Sequence, residues 1–581
     1  MADERGGSVS LDHTFQENRD YGSDTRTNFY VTGPLAEGLA GLAIRGSLYD
    51  RQESDLSFDN NTTVSRRGAA PVEGRNYSIG SRLTLTPHED HDLSLDFERS
   101  RQVYNNDECQ LGNLDGWDSG DAVSGCNDQD PTVINGYKDE LRFERDQLVL
   151  THDARLGIGN IESSLTYNVT ETLGRTVPGT LGVAYTGFPD IVAGNDRKLE
   201  STDLIFDTKL MTPIGDSHLF TLGGQWWDAE VEDGVAAEKF SRTSWAIFAE
   251  NEWRIIDSVA LTLGARYEDY DSFGGHVSPR AYVVWNMNDN WTAKGGVSRG
   301  YKAPSLNDMH DGISGVSGQG DTINIGSPHL DPEITTNTEM ALYYDNYRNF
   351  NANVTLFHNK FKDKIASGPD LLNCHSTHPD VPPNQPGCVD WGSDFNQPYY
   401  GQSINVDEAT TRGMEIGGRW AFAPRWSVST TYTWTDSEQK SGPDKGAPLT
   451  NTPKHLLYAT VNWEASDRLN LWLRGEYRSE RDRFTNTYTN LSEANKALVD
   501  QVGELEAYEV FHLGGSYRAT DNLTLSFAIY NLFDKDFLKG SFYTTNSGAQ
   551  GWASDYIQSG RSVTGTLEES RRLWLSATLT F

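Results

Sequence analysis

Long apolar segments are missing from this chain. No window approaches the roughly 18–20 unbroken apolar residues that a transmembrane helix requires, and only 36% of the residues are hydrophobic. Positive charge is also scarce, because 49 Lys and Arg residues stand against 83 Asp and Glu residues, and a net charge of −34 argues against a nucleic-acid partner. Disordered chains are poor in aromatic residues, so an aromatic content of 11% argues against disorder as well.

Cysteine is rare, with four residues that form two local pairs in stretches rich in turn formers. Cys109 lies near Cys126, and Cys374 lies near Cys388. Two disulfides that close loops in an oxidising compartment are the first interpretation. A metal site is the alternative, but the thiols are too widely spaced for a Cys-x-x-Cys pair and lack partner cysteines. We therefore predict two disulfides and no metal site.

Catalytic constellations are absent from the sequence pattern. The 13 histidines are scattered, and neither a His-Glu-x-x-His segment nor a Gly-x-Ser-x-Gly elbow occurs. The sequence therefore does not predict an enzyme.

What the chain does contain is alternation with period two. Residues 571–581 place apolar side chains at 573, 575, 577, 579 and 581 and polar or amphipathic ones between them, which is the pattern of a β-strand with two unlike faces. An edge strand of a soluble sandwich is the alternative for a single segment of this kind. About 22 such segments recur, however, near 7–19, 25–33, 39–50, 73–86, 91–102, 143–153, 157–170, 200–212, 217–228, 239–255, 259–271, 275–286, 290–300, 335–346, 349–363, 410–422, 425–437, 455–464, 468–480, 507–518, 522–534 and 570–581.

The connections between these segments have two sizes. Short turns rich in Gly, Pro, Asn and Asp alternate with long polar insertions near 51–72, 102–140, 171–199, 302–334, 364–408, 438–453, 480–505 and 535–568. Short periplasmic turns and long extracellular loops are typical of an outer-membrane barrel, and about 22 strands is the size class of plugged transporters. We predict an all-β protein, residues 1–581, that forms one transmembrane antiparallel β-barrel. Its acidic loops would be hydrated, or would meet divalent cations at the lipopolysaccharide surface.

Six segments carry specific motifs in addition to the strand pattern. They are GYKAPSL at 300–306, GSPHLDPE at 326–333, FHNKFKDKI at 357–365, TRGME at 411–415, NTPKH at 451–455 and YNLFDK at 530–535. In this order they resemble the barrel of TonB-dependent outer-membrane receptors, with the best likeness to catecholate siderophore receptors such as the ferric enterobactin and colicin I receptors. The final strand, which ends on Phe581, likewise resembles the closing strand of bacterial outer-membrane barrels.

The resemblance implies an outer-membrane receptor that takes up a ferric siderophore. The iron complex would be cargo, so no resident cofactor is expected. Family members begin with a TonB box and a plug domain, whereas here the first barrel strand follows almost at once, without a signal peptide. We therefore expect a plug-deleted chain, or one divided from its plug, with TonB as a partner only through that plug. The alternatives are a passive porin-like channel and a docking surface for a phage, a bacteriocin or a partner protein.

An anionic ferric catecholate would need local positive charge and aromatic surface. Arg474 and Arg478 share the inward parity of their strand, and Arg481 and Arg483 continue into the following loop. Arginine offers fixed charge, forked donors and a flat stacking face. Tyr301 with Lys302, and Tyr399 with Tyr400, would add contacts at the rim. The alternative is that these arginines pair with nearby acidic residues, and that the aromatic residues form interfacial girdles.

Overall fold

A computed structural model describes residues 5–59, 72–109, 111–118, 128–179, 191–236, 238–317, 322–393, 395–406, 408–449, 451–557 and 568–581. Its main element is one antiparallel sheet of 22 strands, which confirms the predicted fold class and strand number. The strands are β1 (Gly6–Gln16), β2 (Asp24–Ala36), β3 (Ala40–Arg51), β4 (Gly74–His88), β5 (His91–Asn105), β6 (Tyr137–Leu156), β7 (Gly159–Arg175), β8 (Leu199–Ile214), β9 (His218–Asp233), β10 (Phe240–Ile256), β11 (Val259–Tyr270), β12 (Gly274–Asn286), β13 (Trp291–Lys302), β14 (Glu333–Asp345), β15 (Phe350–Lys362), β16 (Ala409–Ala423), β17 (Trp426–Gln439), β18 (His455–Glu464), β19 (Leu469–Arg478), β20 (Tyr508–Arg518), β21 (Leu523–Tyr530) and β22 (Arg572–Thr580).

The sheet closes on itself through its first and last strands. β1 pairs with β22 in an unbroken antiparallel register that runs from Ser8 opposite Thr580 to Gln16 opposite Arg572. At the short-turn end, the Gly7 amide donates to the Phe581 carbonyl at 2.8 Å. Every barrel strand therefore has two hydrogen-bonded neighbours, and no edge strand is left in the wall.

The two faces of the wall differ as the alternation predicts. Large apolar side chains such as Leu11 and Leu575 point outward and are exposed. On the other face, polar side chains meet across intervening strands: Arg45 of β3 donates to Asp96 of β5 at 2.8 Å and to Glu98 at 2.8 Å. Such contacts between non-adjacent strands belong to the concave face, which is the lumen. The barrel thus has an apolar outside and a polar inside.

Strand ends depart from the predicted bounds by a few residues. The largest difference is at β6, which begins at Tyr137 and not near 143. β21 is shorter than expected, because it ends at Tyr530 and does not continue to 534. Asn531 has a positive φ of 49°, and its side chain binds the Lys535 backbone through both its amide and its oxygen, at 2.8 Å each. Asparagine tolerates the left-handed conformation, so the family segment YNLFDK makes a turn instead of extending the strand.

The long connections carry secondary structure that alternation did not predict. Among the described residues they include the helix α1 (Glu493–Val502), the 3-10 turns Arg19–Tyr21, Asn307–Met309 and Tyr488–Asn490, and the short strands Trp117–Asp118, Asp128–Gln129, Ile313–Ser317, Thr322–Ile325, Lys364–Ser367, Leu371–Leu372, Tyr399–Val406, Gly540–Thr544 and Gln550–Ser554. In the described part of the chain, no helix is long and apolar enough to cross a membrane.

Most fully buried apolar side chains lie in these loops, since the wall itself is one sheet thick. We call two groups the first and second loop lobes. The first lobe buries Val177, Ile191, Val235, Ile323, Ile325, Phe395 and Tyr400, which come from four different connections. The second lobe combines two neighbouring clusters, Tyr21, Leu56, Phe58 and Ile557 with Tyr508, Val510 and Phe537, which share contact with Tyr556. The loops therefore pack against one another at one end of the barrel.

Candidate ligand-binding site

Arg474 and Arg478 both project from β19 into the lumen. They occupy the parity opposite to that of the exposed residues Leu473 and Tyr477, and a separation of four strand residues places their Cα atoms about 13 Å apart. The Arg474 Nε donates to the Thr460 hydroxyl at 3.3 Å, and its guanidinium lies 5.4 Å from the Trp472 ring centre. This guanidinium has no ion-pair partner among the described residues, so its charge is available.

Arg478 stands closer to the loops and is more enclosed. Its Nη2 lies 3.7 Å from the Glu568 carboxylate, its guanidinium lies 5.7 Å from the Tyr508 ring centre, and its Nε is buried without a hydrogen-bond partner. An ion pair longer than 3.5 Å is weak, so Glu568 only partly offsets the charge. Arg478 therefore combines a cation with an aromatic face at the loop end of the wall.

Two residues that sequence reasoning did not single out lie between these arginines. Glu476 faces the lumen on the same strand, and its Oε1 lies 3.5 Å from the Nε2 of His512 on β20. The parity of β19 could have identified Glu476 and Trp472. His512 and Tyr508 depend on the pairing of β19 with β20, which places them opposite Arg474 and Arg478. The resulting patch carries two arginines, the carboxylates of Glu476 and Glu568, one imidazole and two aromatic rings.

Arg481 and Arg483 both bind loop carbonyls, and the burial of Arg483 corrects the prediction that this residue belongs to the ligand surface. Arg483 is only 1% exposed, and it donates from Nε to the Gly503 carbonyl at 2.6 Å and from Nη1 to the Ser554 carbonyl at 2.7 Å. The partly buried Arg481 donates to the Tyr556 carbonyl at 2.6 Å. Burial lowers the pKa of both guanidinium groups. The donors of Arg483 thus bind backbone carbonyls of two loops, so Arg483 is not available to a ligand. Arg481 gives one hydrogen bond to a loop carbonyl and keeps an Nε without a hydrogen-bond partner, so its predicted ligand contact stays a prediction.

The tyrosine candidates are not gathered beside the arginines. Tyr301 and Lys302 end β13, six strands away from β19 in the ring, which is about 29 Å along the wall at a strand spacing of about 4.8 Å. The Tyr301 ring packs against the His276 ring at 4.9 Å between centres, and Lys302 is exposed. The Tyr301 ring is thus packed against another ring of the barrel wall and is not a free side chain at the rim.

Tyr399 and Tyr400 belong to a loop strand, and their environments differ. Tyr399 is 37% exposed, whereas Tyr400 is 0% exposed at the centre of the first loop lobe. Burial raises the pKa of Tyr400 to about 12. Because Tyr400 presents no surface, its predicted ligand contact is corrected to a packing role, and only Tyr399 remains as a candidate.

One of the two predicted disulfides is confirmed. Cys374 and Cys388 are bonded, with Cα atoms 5.0 Å apart, and they close a segment of the connection between β15 and β16. Cys109 is 2% exposed, but its predicted partner Cys126 lies outside the described residues, so that pairing remains a prediction. The confirmed bond tethers residues next to Asn373, whose side chain binds the Phe395 and Gln397 carbonyls at 2.8 Å each. It therefore braces the edge of the first loop lobe.

Comparisons with known proteins agree with this architecture. Residues 3–532 match the family described as TonB dependent receptor-like, beta-barrel. The chain is 30% identical to an iron-regulated outer membrane virulence protein of Vibrio cholerae serotype O1, with 94% of this chain and 73% of the relative covered. It is 25% identical to a ferric enterobactin receptor of Pseudomonas aeruginosa, with 98% and 76% covered.

Solved structures show the same fold at lower identity. A crystal structure of a variant of the ferric enterobactin receptor PfeA from Pseudomonas aeruginosa superposes with a TM-score of 0.75 at 21% identity, covering 100% of this chain and 81% of that one. The siderophore receptor PirA from Acinetobacter baumannii gives a TM-score of 0.75 at 19% identity, with 100% and 81% covered. The family match, the relatives and the closed 22-stranded wall lead to one conclusion: this chain belongs to the TonB-dependent receptor family and is an outer-membrane β-barrel.

Proposed function

We propose that the chain is the barrel domain of a receptor that binds and imports ferric siderophores of the catecholate class. The observation that carries this proposal is similarity over nearly the whole chain to relatives described as ferric enterobactin receptors, at 25% identity over 98% of the chain in one case. The iron would be cargo within its siderophore, and the family consists of receptors and transporters instead of enzymes. Coupling to TonB through a plug-type domain in the polar lumen is part of the same proposal.

The inward face of β19 supports a catecholate ligand. A ferric tris-catecholate is an anion with flat aromatic rings, and Arg474 and Arg478 offer two positive charges beside Trp472 and Tyr508. Guanidinium groups donate to catecholate oxygens and stack on aromatic rings. Contact of Glu476 with His512 limits the repulsion that this carboxylate would exert on an anion. The patch lies at the loop end of the lumen, where a ligand that enters between the loop lobes would meet the wall.

Tryptophan fluorescence provides the test, because the chain contains 15 tryptophans and a ferric catecholate quenches them. We expect saturable quenching by a hexadentate ferric tris-catecholate, and little by a ferric hydroxamate. The double variant Arg474→Ala with Arg478→Ala should bind at least about tenfold more weakly, because each charge-assisted contact contributes roughly 1.5–3 kcal/mol.

The control variant is Arg145→Ala. Arg145 faces the lumen on β6, far from β19 in the ring, where it donates to Asn168 at 2.7 Å. Its removal should leave the affinity unchanged. Unchanged affinity in the double variant would refute the arginine patch alone, whereas equal or absent binding of the two iron complexes by the unaltered barrel would refute the proposed ligand class.

A further inference from the structure

The outer surface of the barrel carries an apolar recess on strands β10 to β13. Small or apolar side chains make up most of its lining: Ala249, Ala265, Ala281, Pro279, Leu263 and Val297. Gly264, Arg280, Ser298 and Arg299 complete it. The recess has a volume of about 510 Å³. Leu263 and Val297 are exposed on the outward face, so the recess opens toward the hydrocarbon of the membrane. Small side chains among larger ones leave an apolar space open to the membrane.

The recess lies where two strands of the wall part. Pairing between β12 and β13 ends at Arg280 opposite Ser298. Beyond that point β12 pairs only with β11, and β13 pairs only with β14. Pro279, the next residue toward the loops, has no backbone N–H to donate to a ladder. The outward surface therefore has a seam directly above the recess.

Arg299 stands at the upper end of this recess. It has the outward parity of Val297 on β13, is exposed, and lines the recess. No carboxylate forms an ion pair with Arg299 among the residues that the structure describes. Arg99, an outward cation at the loop end of β5, is different, because it lies 3.2 Å from Glu144 and 3.6 Å from Asp146. Arg299 is thus an uncompensated positive charge on a strongly acidic protein.

The level of Arg299 fits the outer boundary of the membrane. Eight strand residues separate it from Trp291 at the short-turn end of β13, which corresponds to about 26 Å along the strand and about 20 Å along the membrane normal at a tilt of about 40°. An apolar band is about 25 Å tall, so the Arg299 backbone lies about 5 Å below its outer edge. The long arginine side chain spans this gap and places the guanidinium among the headgroups of the outer leaflet. Thr336 and Lys360 occupy the same row on β14 and β15, with Lys360 bound to Glu408 at 2.9 Å.

We propose that the recess and Arg299 together bind a phosphorylated, acylated glycolipid of the outer leaflet, of the lipid A type. One acyl chain fills the space above Ala249, Ala265 and Ala281. A glycolipid phosphate accepts forked hydrogen bonds from the Arg299 guanidinium, a geometry for which arginine is well suited. Thr336 and Lys360 extend the polar contact toward the sugar. This site lies on the outside of the wall and does not depend on what the lumen binds.

Native mass spectrometry of the detergent-solubilised protein with added lipid A tests the proposal. We expect saturable binding of lipid A and at least tenfold weaker binding of its dephosphorylated form to the unaltered protein. Arg299→Ala should lower lipid A affinity by a similar factor. Ala265→Trp fills the recess and should weaken both lipids equally. Arg99→Ala is the matched control, since its charge is already neutralised, and it should bind as the unaltered protein does.

The outcomes separate the two halves of the site. Equal binding of phosphorylated and dephosphorylated lipid A by the unaltered protein would overturn the phosphate contact without any variant. Unchanged affinity in Ala265→Trp would overturn the acyl recess. An equal loss in Arg299→Ala and Arg99→Ala would show attraction by surface charge in general and overturn a specific site. The heat-dependent gel mobility of each variant verifies that its barrel is folded.

Discussion

Replacing Arg483 by methionine should loosen the second loop lobe without affecting the barrel. The substitution keeps a long side chain but removes two short hydrogen bonds, to the Gly503 and Ser554 carbonyls. Hydrogen bonds from a charged donor contribute about 1.5–3 kcal/mol each, and relief of the buried charge returns part of that sum. We expect the local opening free energy of this lobe to fall by about 3 kcal/mol, which corresponds to about 150-fold faster amide exchange.

Hydrogen exchange followed by mass spectrometry is the measurement. Peptides that cover α1 and the hairpin Gly540–Thr544 with Gln550–Ser554 should exchange faster in Arg483→Met, and peptides from β1 and β22 should not change. Arg474→Met is the matched control, because Arg474 is exposed and its one hydrogen bond goes to the Thr460 hydroxyl of the wall. If α1 exchanges at the same rate in both variants, Arg483 does not join the loops, and the correction of its predicted ligand role is refuted.

Three further perturbations test other parts of the molecule. Gly413→Ala should destabilise the barrel by about 1–3 kcal/mol in urea unfolding, because its Cβ would collide with the Trp434 backbone oxygen, whereas Gly300→Ala should be neutral, since open space surrounds that position. Burial alone would raise the pKa of Asp444, but hydrogen bonds from the loop 479–507 outweigh it and hold this pKa below its ordinary value. The contribution of Asp444 to loop stability is therefore complete above about pH 4 and is lost as the pH falls through the lower folded pKa. Protease cleavage of this loop should be faster at pH 3 than at pH 5, and Asp444→Asn should abolish this difference. Glu569→Gln should lower the temperature of the gel-mobility transition, because it weakens ion pairs with Arg51 of β3 at 2.6 Å and Arg572 of β22 at 3.1 Å. The expected loss of barrel stability is about 3 kcal/mol. An unchanged transition temperature would show that these ion pairs do not stabilise closure of the barrel.

The wall could be predicted from the sequence because the membrane imposes one rule on every strand. Side chains must alternate between lipid and lumen, so period two identified the strands to within a few residues. The same parity placed Arg474 and Arg478 in the lumen. Parity does not specify which residue of the next strand lies opposite. The positions of Tyr508 and His512 beside the arginines therefore follow only from the pairing register of β19 with β20.

The loops could not be predicted in the same way, because their folding depends on contacts between distant connections. Tyr400 reads in sequence as a rim tyrosine, yet it packs in the first loop lobe with Ile323, which belongs to another connection. Arg483 reads as a free cation, yet its partners are carbonyls at 503 and 554. One local signal was present for α1, since Ser492 caps its first turn by accepting from the Asn495 amide at 3.2 Å. The candidate ligand residues that are instead buried within the loops are therefore those with packing partners far away in the sequence.

Closure of the wall sets the order in which this protein can fold. Of the 22 strand–strand junctions in the ring, 21 unite barrel strands that are consecutive along the chain. The junction of β1 with β22 unites segments more than 550 residues apart. Bringing such distant segments together costs about 3 kcal/mol more in chain entropy than closing a 20-residue hairpin. Until that junction forms, β1 and β22 each present a row of unpaired backbone groups that can recruit another chain. The interval before closure is therefore the period of greatest aggregation risk, and a partner that shields these two strands would protect the whole molecule.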